Sequence, residues 1–404
     1  MNWILKSKID LKNILKYVPH LVALGITVKL FVPVLITIFV LYSIWCFREF
    51  KISLNKDVIF ISFPFLLAIA GFFYSENISK ALEDISIVLP FLIFPLIFNG
   101  LQIKDKKPIL KAFQIGIVLR LLFNFLRTTF INFSDLDFSY FTYTNLDADT
   151  NIFSVIIVFS ILVESLRFYK RGELPSSLHF FFLVVSLFLL QSRFAILTFF
   201  LLSFGLFSYF QLYKKWKLSL LLSAFVFGSL VFFMQQSRSQ KAFKEISSFK
   251  STSSHFEKSQ IITECMNPTS VRLNAAYCSG VLIMNNPIIG YGTGDWLDVL
   301  VSKYKSENMV CNVKERTAPH NQYLRLGLKY GFIGVILYLC SVFYLLKNCW
   351  KEISVKTILL LVMILSSFGY DILEVGSSAP TFAFLMAFLF SEHNLSTQAS
   401  KQNN

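Results

Sequence analysis

The chain has 404 residues, of which 55% are hydrophobic, 17% aromatic and only 15% charged, and its mean hydropathy is +0.60. A soluble domain of that composition lacks the polar surface to cover its core, so the soluble classes are excluded. The net charge of +14 comes from Lys and Arg scattered as short clusters between apolar runs, which is how membrane helices are oriented rather than how nucleic acid is bound.

Apolar runs long enough to cross a hydrocarbon layer of ~30 Å recur along the chain. They are continuous rather than alternating, which predicts helices and excludes barrel strands. The expected fold is an all-α polytopic membrane protein with about twelve transmembrane helices and one large, partly helical periplasmic loop. The spans are expected at 18–30, 31–47, 58–74, 84–100, 110–130, 151–168, 177–190, 194–212, 218–235, 323–346, 354–371 and 377–391. Residues 1–235 then hold helices 1–9, 236–320 the loop, 321–391 helices 10–12, and 392–404 a cytoplasmic tail.

Reading 18–47 as two spans puts the basic N-terminus (Lys6, Lys8, Lys12, Lys16) and the clusters Arg48/Lys51/Lys56, Lys104/Lys106/Lys107, Lys170/Arg171, Lys214/Lys215/Lys217 and Lys347/Lys351 on one side. By the positive-inside rule that side is cytoplasmic, so both termini lie inside and the long loop lies outside. No small-residue cleavage site follows the basic N-terminus, so it is expected to stay as the first anchor.

Candidate chemistry is sparse. The outer loop 131–150 has two D-x-D pairs, Asp135/Asp137 and Asp147/Asp149, read as a solvated acidic loop rather than a metal site. Residues 178–212 would reach roughly 52 Å as one helix, so the chain must turn at its one polar break, Gln191-Ser192-Arg193. That leaves Arg193 at the membrane boundary, where a cation is either functional or snorkelling to headgroups. In the long loop, Cys265, Cys278 and Cys311 allow one disulfide and one leftover thiol, while Cys46, Cys340 and Cys349 read as packing residues.

Residues 270–277 read as a helix carrying Arg272 and running to a break at Asn286-Pro287. Gly290, Gly292 and Gly294 have G-x-G-x-G spacing but follow no strand, so they predict a tight, backbone-exposed turn that approaches a ligand rather than a dinucleotide site. His320 sits just before the last block of spans, at the mouth of an outward-facing cavity. Behind it, Gly327, Gly331 and Gly334 are spaced to let that helix pack closely on a neighbour.

Ser192-Arg193 at a span start, Arg272 followed by Asn286-Pro287-Ile288-Ile289-Gly290-Tyr291-Gly292-Thr293-Gly294, and His320-Asn321-Gln322-Tyr323-Leu324 before a glycine-spaced helix together resemble the bacterial O-antigen ligase and O-antigen polymerase family. The resemblance implies a metal-independent, inverting glycosyltransferase of the inner membrane that needs no cofactor. Its donor would be a glycan on undecaprenyl diphosphate, and its acceptor lipid A–core or a growing glycan. Carried onto this chain, Arg193 and Arg272 would hold the diphosphate and stabilise its charge as it leaves. His320 would take the proton of the acceptor hydroxyl, a task suited to an imidazole that titrates near neutrality. Asn321 and Tyr323 would orient His320 or the acceptor, and Gly290, Gly292 and Gly294 would approach the substrate. Arg316, Arg325 and Lys329 are further cations that could share the diphosphate. Phe194 departs from the smaller residue expected after the Ser-Arg pair.

Two readings compete. A transporter or flippase of lipid-linked sugar would use the charges Lys29, Arg120, Arg127, Glu164, Asp371 and Glu374 along a path. A metal-dependent glycosyltransferase would use the acidic loop.

Overall fold

A computed structural model describes residues 17–28, 31–45, 54–101, 103, 105–131, 150–171, 177–190, 192–212, 268–350, 352–376 and 378–391. Among the described residues every regular element is an α-helix. In chain order these are α1 (Val18–Gly25), α2 (Val32–Trp45), α3 (Lys56–Ile61), α4 (Phe63–Phe72), α5 (Ile78–Val88), α6 (Pro90–Leu101), α7 (Lys107–Ile131), α8 (Thr150–Arg171), α9 (Ser177–Leu189) and α10 (Arg193–Leu212). After the long polar segment come α11 (Pro268–Asn285), α12 (Trp296–Ser306), α13 (Val310–Glu315), α14 (Gln322–Cys349), α15 (Val355–Ser366) and α16 (Ala379–Phe390). The acidic loop at 132–149, the expected span 218–235 and the chain from 213 to 267 lie outside the described residues.

Four stretches are long and apolar enough to cross a membrane: Ile78–Leu101, Lys107–Arg127, Thr150–Lys170 and Gln322–Cys349. Shorter apolar helices accompany them, and the breaks that shorten them have local causes. The expected span 58–74 is divided at Ser62, where Pro64 enters the first turn of α4. The next helix begins earlier than hydropathy suggested, at Ile78, where the Asn77 side chain accepts from Lys80 N at 3.1 Å, and it is interrupted at Pro90.

Burial explains the order of packing. α8 is the central helix: every residue from Ile152 to Val163 is buried, and it packs against α9, α10 and α15. α16 is buried along its whole length and lies on α6, with Phe384 meeting Phe94 and Phe98 edge-on. Arg120 lies mid-helix in α7, not near a span end. It is buried, donates to the Thr27 carbonyl and stacks on Phe153 with 3.9 Å from guanidinium carbon to ring centroid, so it locks α1 and α7 together.

The described part of the long loop has a small core of its own. Ala275, Cys278, Leu282 and Ile283 of α11 pack with Trp296, Leu300, Val301 and Tyr304 of α12 against Leu328 of α14. Cys311 is disulfide-bonded, and Cys278 is a buried free thiol.

Candidate active site

α14 breaks at Gly331, which stands at φ 63°, ψ −163°, a conformation open in practice only to glycine. The glycine-rich turn after α11 fills that break. Tyr291 N donates to Leu328 O and Gly292 N to Lys329 O, both at 2.8 Å, while Phe332 N donates to Pro287 O at 2.7 Å. The loop thus satisfies the Leu328 and Lys329 carbonyls and the Phe332 N–H at the break in the helix.

The turn is tight, as its sequence predicts, with φ 64° at Gly290 and 90° at Gly292. It is not backbone-exposed, however, since all three glycines are buried. Their close neighbours are protein: a Cβ at Gly290 would fall 2.5 Å from Leu328 O, at Gly292 2.6 Å from Ser75 Oγ, and at Gly294 2.2 Å from Asn77 O. The α14 glycines also divide differently from the expected packing face. Gly327 admits Ile283 of α11, Gly331 makes the break, and Gly334 faces Tyr330 of its own helix.

Below this joint lies a buried ionic cluster. Lys329 Nζ is 2.8 Å from Asp84 Oδ2 and also pairs with Glu374. Arg325 reaches Asp371 at 3.3 Å and Glu374 at 3.1 Å. Trp296 Nε1 donates to Asp84 Oδ2 at 3.1 Å, and the Trp296 ring carries the Arg325 guanidinium 4.7 Å from its centroid. Gln322 closes the set, donating to Glu374 at 3.2 Å and accepting from Leu373 N at 3.0 Å. Sequence reasoning left Arg325 and Lys329 as further diphosphate ligands; they are instead buried and neutralised by carboxylates. Arg316 is likewise engaged, 2.5 Å from Asp298.

Asp371 and Glu374 belong to the connector 367–378 between α15 and α16, and this connector meets the start of α10 on one side and the start of α14 on the other. From one side comes α10. The chain turns between Leu189 and Arg193, as the length argument required, and Ser192 Oγ lies 2.7 Å from Tyr370 OH. Phe194 sets its ring edge-on to Tyr370, 5.7 Å between centroids.

From the other side comes the start of α14. Gln322 N donates to Ser367 O, and Asn321 Nδ2 to Phe368 O, each at 2.9 Å. Asn321 also caps α14 by accepting from Leu324 N at 3.0 Å. Tyr323 turns inward, donating to Ile364 O at 2.9 Å, and its ring meets Phe368 at 4.7 Å. Arg272 enters the same neighbourhood electrostatically. Burial pushes the Tyr370 phenol above its ordinary value, opposed by its hydrogen bond to Ser192 and by the positive charge of Arg272.

Arg193 is half-buried at the first position of α10, Arg272 is exposed in the second turn of α11, and His320 is exposed beside the cap of α14. His320 stands at φ 49°, in the left-handed region. Of the three, Arg272 is the one whose charge reaches the connector at Tyr370, while Arg193 and His320 lie next in sequence to Ser192 and Asn321, which bind it. Residues 178–339 match the family model described as O-antigen ligase, a segment that contains all three side chains.

This match supports the O-antigen ligase and polymerase family for the segment it covers. No curated protein matches the chain. An O-antigen ligase or polymerase of this type is a membrane glycosyltransferase, and the apolar helices agree with that setting. The connector, by contrast, lies C-terminal to the family match. Sequence reasoning noted Asp371 and Glu374 only as charges on a transport path, because 354–371 and 377–391 read as plain spans. The available signal was the polar run Ser366, Ser367, Gly369, Asp371 and Glu374 within otherwise apolar sequence. Among the described residues no three His, Cys, Asp or Glu side chains come together as a metal-holding set.

Proposed function

We propose that this protein transfers a glycan from undecaprenyl diphosphate to lipid A–core at the outer face of the bacterial inner membrane, with both termini cytoplasmic. The observation that carries the reading is the connector 367–370, which binds the Ser192–Phe194 turn on one side and Asn321–Gln322 on the other, within range of the Arg272 charge.

In this reading Arg193 and Arg272 hold the diphosphate. A cation at the first position of a helix is opposed by the helix dipole, by about 0.3–1 kcal/mol at exposed sites, and an anion in front of it reverses that sign. Guanidinium groups suit the role because they stay charged and offer paired donors to phosphate oxygens. The acceptor hydroxyl oxygen attacks the anomeric carbon, and His320 takes the hydroxyl proton. The bond from that carbon to the diphosphate oxygen breaks on the opposite face, inverting the centre and releasing undecaprenyl diphosphate. Both arginines stabilise the charge on that oxygen, which is electrostatic catalysis without a metal step. Asn321 and Tyr323 serve by fixing the backbone that holds His320. Gly290, Gly292 and Gly294 act from beneath, by seating the turn in the break of α14.

The test supplies membranes carrying the wild type, His320→Ala or Arg193→Ala with undecaprenyl-diphosphate-linked glycan and lipid A–core, in the presence of EDTA. Glycan-bearing lipopolysaccharide from the wild type alone, at equal expression, is the expected result. Lengthening of the lipid-linked glycan instead would make the protein a polymerase. Transfer by both variants at the wild-type rate would overturn the assignment of these side chains.

A further inference from the structure

A second recessed surface lies on the other side of the glycine turn. It is a cleft of about 720 Å³ between the α4–α5 connection, the turn after α11 and one face of α12. Tyr74 and Tyr291 line it with aromatic rings, and Glu76, Asn286, Asp298 and Ser302 with oxygen atoms. The tyrosine hydroxyls are already committed to the protein, Tyr74 to Ile289 O at 2.7 Å and Tyr291 to Leu282 O at 3.0 Å, so their rings are held in place. Asn286 spends its amide N–H on Gly290 O, leaving its oxygen to the cleft. Among the described residues the Glu76 carboxylate and the Ser302 hydroxyl make no hydrogen bond or ion pair, and both are exposed.

The open groups are therefore mostly acceptors, beside two fixed aromatic rings. That surface fits a ligand rich in hydroxyl donors with apolar ring faces. It disfavours an anion: Asp298 is neutralised by Arg316, but Glu76 is not paired. A divalent metal fits poorly as well. Asp298 is held by Arg316 and by Asn77 at 3.1 Å, and no metal-holding set of side chains forms among the described residues.

The cleft is also tied to the proposed reaction centre. Arg316, paired to Asp298 on the cleft wall, is four residues from His320, a chain length of at most about 14 Å. We propose that this cleft is the acceptor subsite, binding an uncharged, hydroxyl-rich stretch of the acceptor oligosaccharide while the donor diphosphate is held apart at Arg193 and Arg272. The proposal rests on the glycosyl-transfer reading for its purpose, but binding can be measured without transfer.

The experiment uses the full chain in detergent micelles, with binding followed by saturation-transfer NMR and calorimetry. The probes are delipidated lipopolysaccharide-core oligosaccharide, an O-antigen repeat oligosaccharide and inorganic pyrophosphate. Ser302→Trp fills the cleft from an exposed helix face, and Glu76→Gln removes its unpaired charge while keeping its shape. The wild type is expected to bind one of the two oligosaccharides, and which one identifies the source of the acceptor. Ser302→Trp should weaken that binding at least about tenfold and Glu76→Gln by a smaller factor, with pyrophosphate binding unchanged in both. In transfer assays the same variants should raise the acceptor KM and leave the donor KM alone. Wild-type oligosaccharide affinity in Ser302→Trp, competition by pyrophosphate, or no oligosaccharide binding to the wild type would each overturn the subsite. Oligosaccharide binding without any transfer would instead sink the transferase reading and leave the subsite standing.

Discussion

The ring of Phe194 occupies the space that a side chain at Gly369 would need: a Cβ at residue 369 would fall 2.3 Å from Phe194 Cγ. The large residue after Ser192-Arg193 is thus accommodated across the site, by a glycine on the connector. Gly369→Ala should press on the start of α10 and shift Arg193. Overpacking of this kind costs about 1–3 kcal/mol, so a lower Tm and at least tenfold slower transfer are expected. Phe194→Ala in the same chain removes Cγ and both Cδ atoms and should recover part of both. A single variant with wild-type Tm and rate would show that this contact does not set the position of Arg193.

The ionic cluster makes a second prediction, because its members differ in exposure. Lys329 is 1% exposed between Asp84 and Glu374, and replacing it with Met leaves Asp84 with only Lys80 at 3.6 Å and Glu374 with only Arg325 at 3.1 Å as cations. Breaking such a pair costs about 3–5 kcal/mol. Lys80, at the edge of the cluster 3.6 Å from Asp84, is partly exposed, and Lys80→Met should cost less than about 1 kcal/mol. Thermal unfolding in detergent would separate them. Neutralising the trio together, as Asp84→Asn, Lys329→Met and Glu374→Gln, should recover part of the loss. Equal Tm values for the two lysine variants would contradict the burial of Lys329.

This cluster also marks how far the sequence could be read. The turn before Arg193 was legible because the thirty-five residues 178–212, mostly apolar, are too long for one crossing, and the end of α11 because Asn-Pro punctuates it. Asp84 and Lys329 were not legible as partners, since their pairing depends on how α5 and α14 pack and nothing local reports it. The glycine turn was legible as a turn but not in its partner. The same positive φ serves a ligand or a neighbouring helix, and only the break at Gly331 shows that a helix receives it. The connector was hidden in hydropathy because its polar residues are few, and Asp371 and Glu374 find their partners on α14 rather than in water.

Two glycine-to-alanine changes should have opposite signs. Gly331→Ala puts a Cβ 2.3 Å from the Ile288 backbone at a φ and ψ that alanine avoids, so it should cost several kcal/mol and undock the loop. Gly205→Ala lies inside α10 with nothing within 4 Å of the new methyl, and it should stabilise the protein by about 0.5–1 kcal/mol. Tm measurements on both suffice, and a stabilised Gly331→Ala would contradict the break in α14.

The free thiol of Cys278 should be inert in the native protein. Burial is the main cause that raises its pKa to about 11, so the reactive thiolate is scarce at neutral pH and becomes abundant only near that value. The sign for stability follows. The unfolded thiol ionises near its ordinary value, so the preference for the protonated folded form weakens stability as pH rises above that point. Maleimide labelling at pH 7.5, mapped by peptide mass spectrometry, should leave Cys278 unmodified until the protein is unfolded. Rapid native labelling would contradict the packing of α11 on α12.

His320 has two roles that different substitutions separate. Its backbone occupies the left-handed region at φ 49°, which asparagine tolerates better than alanine does. His320→Asn should therefore keep the fold near wild type while removing the imidazole that accepts the proton, with transfer falling by roughly 10²–10⁴-fold. His320→Ala adds backbone strain of about 1 kcal/mol or more to the same chemical loss. Asn321→Ala keeps the imidazole but removes both the cap on α14 and the bond to Phe368 O. A cap of this kind is worth about 1 kcal/mol, so this variant should lose some stability and slow transfer through a misplaced His320. Measured together, Tm and rate should order the variants differently: His320→Asn is the least active at nearly full stability, and Asn321→Ala is less stable but more active. If His320→Asn transfers glycan as fast as the wild type, the proton goes elsewhere and His320 serves only to start the helix.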